Sequence, residues 1–334
     1  MMGVKDQIIK TCSSLGIDSI GFIKCRRFDE LKNFYKDRKD LNLQNEFEED
    51  DIEKRINPIQ YLEEGKTIIS IAFPYLTSES NNNNGFSVYT KGMDYHYVVN
   101  KYLKIIYEII ESHGGKAKSF VDSNSLPERY IAYLGGVGFI GKNNLLINKK
   151  YGSYIFLGEI ITDLEIYDED KGTFEDLNLF KECGECKECY VACPTKAINS
   201  NKKNCNICLS YITQKKDLED WEIEKLQGRM FGCDTCQLVC HYNIDKELSK
   251  IPEFMPFDFM INNNEEVIIA MGNGQFKESY KNTSCGWRGK NILKRNALIR
   301  SKLYLKSNNF DQNQKFESLY LNEYINRLFQ KTRI

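Results

Sequence analysis

Nine cysteines lie between Cys183 and Cys240, and seven of them fall into two blocks. The first, Cys183-Gly-Glu-Cys186-Lys-Glu-Cys189-Tyr-Val-Ala-Cys193-Pro194, reads C-x2-C-x2-C-x3-C-P; the second, Cys233-Asp-Thr-Cys236-Gln-Leu-Val-Cys240, reads C-x2-C-x3-C. Thiolates at the first spacing ligate [4Fe–4S] cubanes, and where a chain carries two clusters the fourth Cys serves the other one. Each cubane takes four thiolates. Cys183, Cys186 and Cys189 are therefore expected to hold one cluster, completed by Cys240 from the far block. Cys193, Cys233 and Cys236 would hold the other and need a fourth ligand, for which Cys208 is the first choice and Cys205 the competitor. Disulfides belong to small secreted domains, and structural zinc favours separate C-x2-C pairs, so neither accounts for this spacing as well. Such clusters pass electrons singly. Cys12, Cys25 and Cys285 stand apart from both blocks and read as ordinary thiols.

These ligands need a frame and something to reduce. The chain has 334 residues, room for two domains or more. Residues 1–170 read as an α/β unit, 171–248 as the cluster domain, and 249–334 as a mostly helical, basic segment. Within the first unit, residues 7–15 read as helix and 19–22 as a short strand. The β-branched run Thr67-Ile-Ile-Ser-Ile-Ala-Phe73 predicts a buried strand. Residues 78–85, Ser-Glu-Ser-Asn-Asn-Asn-Asn-Gly, read as loop. Residues 95–113 read as a helix ended by Gly114-Gly115. A strand over 117–121 closes at Asp122, a short helix follows over 127–134, and 153–162 alternates like a strand. A last helix is expected over 316–330.

Net charge is −1, but it is unevenly spread. Residues 46–53 are acidic, whereas 281–306 carry eight Lys or Arg and no Asp or Glu, a candidate phosphate-binding face that includes Trp287. No apolar stretch approaches the roughly 18 residues of a membrane span. The opening Met1-Met-Gly-Val-Lys-Asp6 lacks a basic-then-apolar signal pattern. A cytoplasmic protein without a membrane partner is expected, in a compartment whose reducing conditions suit cluster thiolates.

From about Arg55 to Ala297 the chain resembles the epoxyqueuosine reductase family. The segments that carry the resemblance are Lys91-Gly-Met-Asp-Tyr-His96, Val121-Asp122-Ser123, Glu128-Arg129, Gly136-Val-Gly-Phe-Ile-Gly-Lys142 and Tyr151-Gly-Ser-Tyr-Ile-Phe-Leu-Gly-Glu159. Further along are Cys193-Pro-Thr-Lys-Ala-Ile198, Cys208-Leu-Ser-Tyr-Ile-Thr-Gln214, Phe231-Gly-Cys-Asp-Thr-Cys-Gln-Leu-Val-Cys240, Trp287-Arg288 and Arg295-Asn-Ala297. The resemblance implies an α+β protein: a nitroreductase-like α/β cobalamin-binding domain, a ferredoxin-like double [4Fe–4S] domain and a short C-terminal helical segment. It also favours Cys208 as the missing ligand. The implied activity is reduction of epoxyqueuosine at the wobble position of tRNA to the alkene of queuosine and water.

That chemistry consumes two electrons and two protons. Single electrons from the clusters must be collected, and cobalt reduced to cob(I)alamin is a two-electron centre and a nucleophile toward an epoxide carbon. The cobalamin rests on the resemblance, since no Asp-x-His-x-x-Gly signature is present. The opening alkoxide needs a proton, and the family's general acid maps to Asp122. An ordinary Asp, with a pKa of about 3.9, is ionised at neutral pH; burial against corrin and nucleoside is expected to raise it.

Arg55, Tyr95, His96, Lys142, Asn143, Ser153 and Leu157 are further candidates for cofactor contacts. The glycines and Lys142 match a P-loop's spacing, but Asn143 stands where its Ser/Thr belongs, so a backbone loop against the cofactor is expected instead. For tRNA, the candidates are Lys215, Lys216, Arg288, Lys294 and Arg295. A low-potential electron donor and a monomeric state complete the expectation. Two other readings are a reductase of a different substrate, such as a reductive dehalogenase-like enzyme, and a ferredoxin-type electron-transfer protein.

Overall fold

The structure is a computed structural model that describes residues 3–79, 84–177, 179–307 and 315–331. The expected loop over 78–85 lies partly outside them, at 80–83. The framework of the N-terminal half is a four-stranded sheet in the order Ile20–Lys24, Thr67–Pro74, Ile155–Thr162, Ala117–Phe120. Every neighbouring pair is antiparallel. Thr67–Pro74 is buried along its whole length, as its β-branched run predicts. Ile69, Ile71 and Phe73 pack on one face with Val99, Leu103 and Ile106 of the helix Tyr95–Ser112. Ile68 turns to the other face, with Tyr130, Ile131 and Leu134 of the helix Glu128–Leu134. Burying each such aliphatic side chain is worth about 1.5–3 kcal/mol.

Local chemistry fixes the ends of these elements. The Asp94 carboxylate accepts from the His96 backbone N–H at 3.0 Å and caps the helix Tyr95–Ser112. At its other end Gly114 sits at φ 78°, and Gly115 N and Gly114 N donate to Ile110 O and Glu111 O, closing a Schellman turn. A Cβ at Gly21 would meet Gly135 O at 2.5 Å, so a glycine there lets the helix Glu128–Leu134 approach the sheet.

In the cysteine-rich part, the short helices Glu188–Ala192 and Thr235–Leu238 pack together and bring the two cysteine blocks side by side. Leu209, Ile212, Met230 and Phe231 share a core with Leu293, Ala297 and Leu298 of the helix Lys290–Ile299. Leu321, Tyr324 and Leu328 of the helix Leu319–Lys331 join the same core. The cluster segment thus leans on the C-terminal helices for its apolar support. No helix among the described residues is long and apolar enough to cross a membrane.

Candidate active site

The thiols separate into two groups. Cys183, Cys186, Cys189 and Cys240 line one small pocket. Cys193, Cys208, Cys233 and Cys236 line the wall of a much larger cavity of about 1740 Å³. Burial, then the adjacent Cys183, Cys186 and Cys240, raise the Cys189 thiol; burial, then Cys233 and Cys208, raise that of Cys236. Cys240 thus sits with the first block and Cys193 with the second. Cys205 also faces the large cavity, but its sulfur accepts from Arg38 at 3.4 Å beside Glu48. Among the described residues no three His, Cys, Asp or Glu side chains converge closely enough to hold a single metal ion.

Across the same cavity stands Asp122, just past the strand Ala117–Phe120 and in the left-handed region at φ 49°. Its side chain is 60% exposed. Tyr95 Oη donates to Asp122 Oδ2 at 2.5 Å. His96 places Nε2 3.6 Å from that oxygen and Nδ1 2.9 Å from Asp94 Oδ1. Tyr95 is stacked between the His96 and Phe156 rings, with centroids 4.2 and 4.3 Å away. The Asp94 cap that starts the helix therefore also orients His96 toward Asp122.

This arrangement sets where the proton resides. Burial raises the Asp122 carboxyl, as expected, but contacts from His96 and Tyr95 outweigh it and hold the pKa below the ordinary value. His96 lies between two carboxylates, and Asp122 followed by Asp94 lifts its pKa to about 9. At neutral pH the proton is on the imidazole and Asp122 is ionised. The expected rise at Asp122 belongs to the pocket with corrin and nucleoside against it; the protein's own neighbours, a cation and a phenol donor, act in the opposite direction.

Arg55, Asn143, Ser153 and Leu157 line the cavity. Arg55 pairs with Glu48 at 3.0 Å and lies 4.0 Å over the Tyr35 ring. Arg55 Nε and Asn143 Nδ2 are buried donors that find no acceptor among the described residues. A buried donor left unpaired costs about 1–3 kcal/mol, and both would be satisfied by amide or phosphate oxygens on a corrinoid's rim. Drug-sized ligands take about 300–1,000 Å³; the larger space here suits a macrocycle together with a nucleoside. The residues therefore fit cobalamin.

Three assignments change. Lys142 does not line the large cavity; its Nζ donates to Cys186 O at 3.0 Å and to Gly184 O, bracing the loop of the first cysteine group. Lys294 and Arg295 are buried, because every residue of their helix from Ile292 to Ile299 is packed. Lys294 Nζ donates to Met271 O, and Arg295 donates to the carbonyls of Thr213, Lys215 and Lys216. Neither reaches a phosphate. Lys216 is exposed, Lys215 pairs with Glu222 at 2.6 Å, and Arg288 Nε donates to Gln214 O at 2.7 Å. Trp287 is 55% exposed and, with Phe47, lines the cavity.

Sequence reasoning assigned no role to Glu128 and Glu159. Glu128 lines the cavity and Glu159, fully buried, lies behind it. The signal was present: Glu159 is the one charge in the strand Ile-Phe-Leu-Gly-Glu-Ile-Ile-Thr.

Comparison with known proteins agrees with this geometry. The family model for epoxyqueuosine reductase QueG, DUF1730, matches residues 55–123, and a 4Fe-4S double cluster binding domain matches 182–243. The epoxyqueuosine reductase of Bacillus subtilis (strain 168) is 34% identical over 308 residues, 89% of this chain and 78% of the relative. The chain belongs to the epoxyqueuosine reductase family. The Lactococcus garvieae epoxyqueuosine reductase is 35% identical over 309 residues, covering 89% of this chain and 86% of its own. A crystal structure of epoxyqueuosine reductase with an epoxyqueuosine-modified tRNA-Tyr stem loop superposes with a TM-score of 0.86 at 28% identity, covering 99% of both chains. The α+β architecture, the two [4Fe–4S] clusters and cobalamin are those of an epoxyqueuosine reductase.

Proposed function

We propose that this chain reduces epoxyqueuosine to queuosine at the wobble position of tRNA, releasing the epoxide oxygen as water. The observation that carries the reading is one cavity with the Tyr95–His96–Asp122 proton-donor set on one wall and Cys193, Cys208, Cys233 and Cys236 on another. A plain electron-transfer protein has no use for such a proton-donor set.

Cobalamin, when bound, supplies the two-electron nucleophilic centre. Arg55 and Asn143 offer it their unpaired donors, with Ser153 and Leu157 beside them. Cys183, Cys186, Cys189 and Cys240 hold the outer cluster. Cys193, Cys208, Cys233 and Cys236 hold the inner one, with Cys208 preferred to Cys205 because Arg38 and Glu48 occupy the latter. Asp122 is the general acid toward the opening alkoxide. His96 stores its proton and Tyr95 fixes its orientation. Filling the cavity removes water around Asp122, which raises its pKa and draws the proton from His96.

Substrate tRNA lies over the cavity mouth, its phosphates near Lys216, Lys215 and Arg288. The wobble base turns out of the anticodon stack to reach Asp122. Residues 1–170 are the catalytic unit, 171–248 carry the clusters, and 249–334 support them. The chain works as a cytoplasmic monomer fed by a low-potential donor. In bacterial cells deprived of their own reductase, the proposed reaction would be missing and epoxyqueuosine should persist in tRNA. Expressing this chain there, with cobalamin supplied, is expected to restore queuosine in digested tRNA. Unchanged epoxyqueuosine, with the protein present and loaded, would refute the assignment.

A further inference from the structure

Epoxide removal delivers two protons to one oxygen: the first as a C–O bond opens, the second as that oxygen leaves as water. The electron pair comes from the reduced cofactors, and the two broken C–O bonds are replaced by the alkene π bond and two O–H bonds. The Asp122–His96 couple holds one proton at neutral pH. The second needs another source.

Glu128 and Glu159 stand where such a source would be. Glu128 begins the helix Glu128–Leu134 and lines the cavity beneath the Asp122 turn; its carboxylate accepts from Asn124 Nδ2 at 2.7 Å. Asn124 N in turn donates to Asp122 O at 2.5 Å. Glu159 lies in the central strand Ile155–Thr162 with no exposed surface. Its Oε1 accepts from Ser70 Oγ at 3.1 Å, while Oε2 meets no donor among the described residues. After burial, the Glu128 carboxylate is the largest influence on the Glu159 carboxyl. Two neighbouring acceptor-only groups, one of them with no exposed surface and a single donor from Ser70, leave a place for one shared hydrogen. A purely structural polar contact would be met more cheaply by Gln, since an ionised carboxylate pair in this setting is costly.

We propose that Glu128 and Glu159 form a proton-sharing carboxyl pair that supplies the second proton of epoxide reduction, Glu159 holding it and Glu128 passing it to the cavity. This rests on the function proposed above. The charged groups facing the pair are Asp122, which disfavours ionisation of both, and Arg129, which favours that of Glu128. Burial is the largest influence and, with Asp122 and mutual repulsion, keeps the pair above the ordinary carboxyl range.

The test uses the cofactor-loaded enzyme, with wild type, Glu159→Gln and Glu128→Gln compared. Infrared spectra of the wild type at neutral pH are expected to show a buried protonated carboxyl that disappears in Glu159→Gln. Turnover of an epoxyqueuosine stem-loop is expected to fall about 100-fold in either variant, the scale of a lost proton donor, with KM unchanged. The basic limb set by the pair should be lost while that of His96 remains. Wild-type turnover with variants of equal rate and pH profile would overturn the proposal and leave the function intact. A wild type with no protonated carboxyl signal would also overturn it, even if a variant failed to fold. A wild type without turnover would instead remove the reading on which the proposal rests.

Discussion

His96 lies between Asp94 and Asp122, and its pKa is pushed up to about 9. The contribution to stability follows in sign: it is fully present below the unfolded histidine value of about 6.5 and is lost as pH rises through about 9. Activity should fall over the same upper range, because the stored proton is gone. His96→Gln is expected to abolish that limb in a pH–rate profile; a retained limb would assign it to another group. Asp122→Asn keeps the shape and removes the transferable proton, so turnover should drop about 10²–10⁴-fold with corrinoid and iron content unchanged. The grouping of the eight cysteines and the place of Asp122 at a strand's end were legible from spacing and resemblance. The partners of Asp122 were not. They are Tyr95 and His96, consecutive on a helix, meeting a residue 27 and 26 positions later. A sequence read without its fold shows burial but not which donors share the pocket.

Elements were legible where their ends are chemically marked. Asp94 and the Gly114-Gly115 pair bound a helix expected over 95–113 and found at Tyr95–Ser112. The run from Thr67 gave its strand for the same reason, since a β-branched sequence buried on both faces has little alternative. The helix Lys290–Ile299 misled because basic residues usually mark a solvated face, whereas this one is packed all round. Arg295→Ala would strand the carbonyl of Lys215 and leave those of Thr213 and Lys216 to Asn296 and Tyr320, and should cost about 1–3 kcal/mol, visible as a fall in Tm. If it weakened tRNA binding at unchanged Tm, Arg295 would be a contact after all. At the inner cysteine group, Cys208→Ala is expected to lose one cluster, about four of eight irons. Cys205→Ala should retain both; the opposite pattern of iron counts would exchange their roles.

At the scale of the whole molecule, net charge is −1, and burial of Lys294, Arg295 and Arg300 takes three of the eight cations of the 281–306 segment away from tRNA. Under the proposed function, recognition would depend on a small number of phosphate contacts and on the aromatic rim of Phe47 and Trp287. The slope of log affinity against log salt should be shallow, and Lys216→Ala should reduce it by about 0.7 to 1 without changing Tm. An unchanged slope would place the phosphates elsewhere. One fold thus sets two thiol groups, a cavity and a proton-donor set in sequence, and their joint action is the central claim. It is tested most directly by anaerobic turnover of an anticodon stem-loop bearing epoxyqueuosine, with both clusters and cobalamin loaded, a strong reductant supplied and the digested nucleosides weighed. The account predicts loss of one oxygen atom, dependent on cobalamin. Full loading with no change in mass would contradict it.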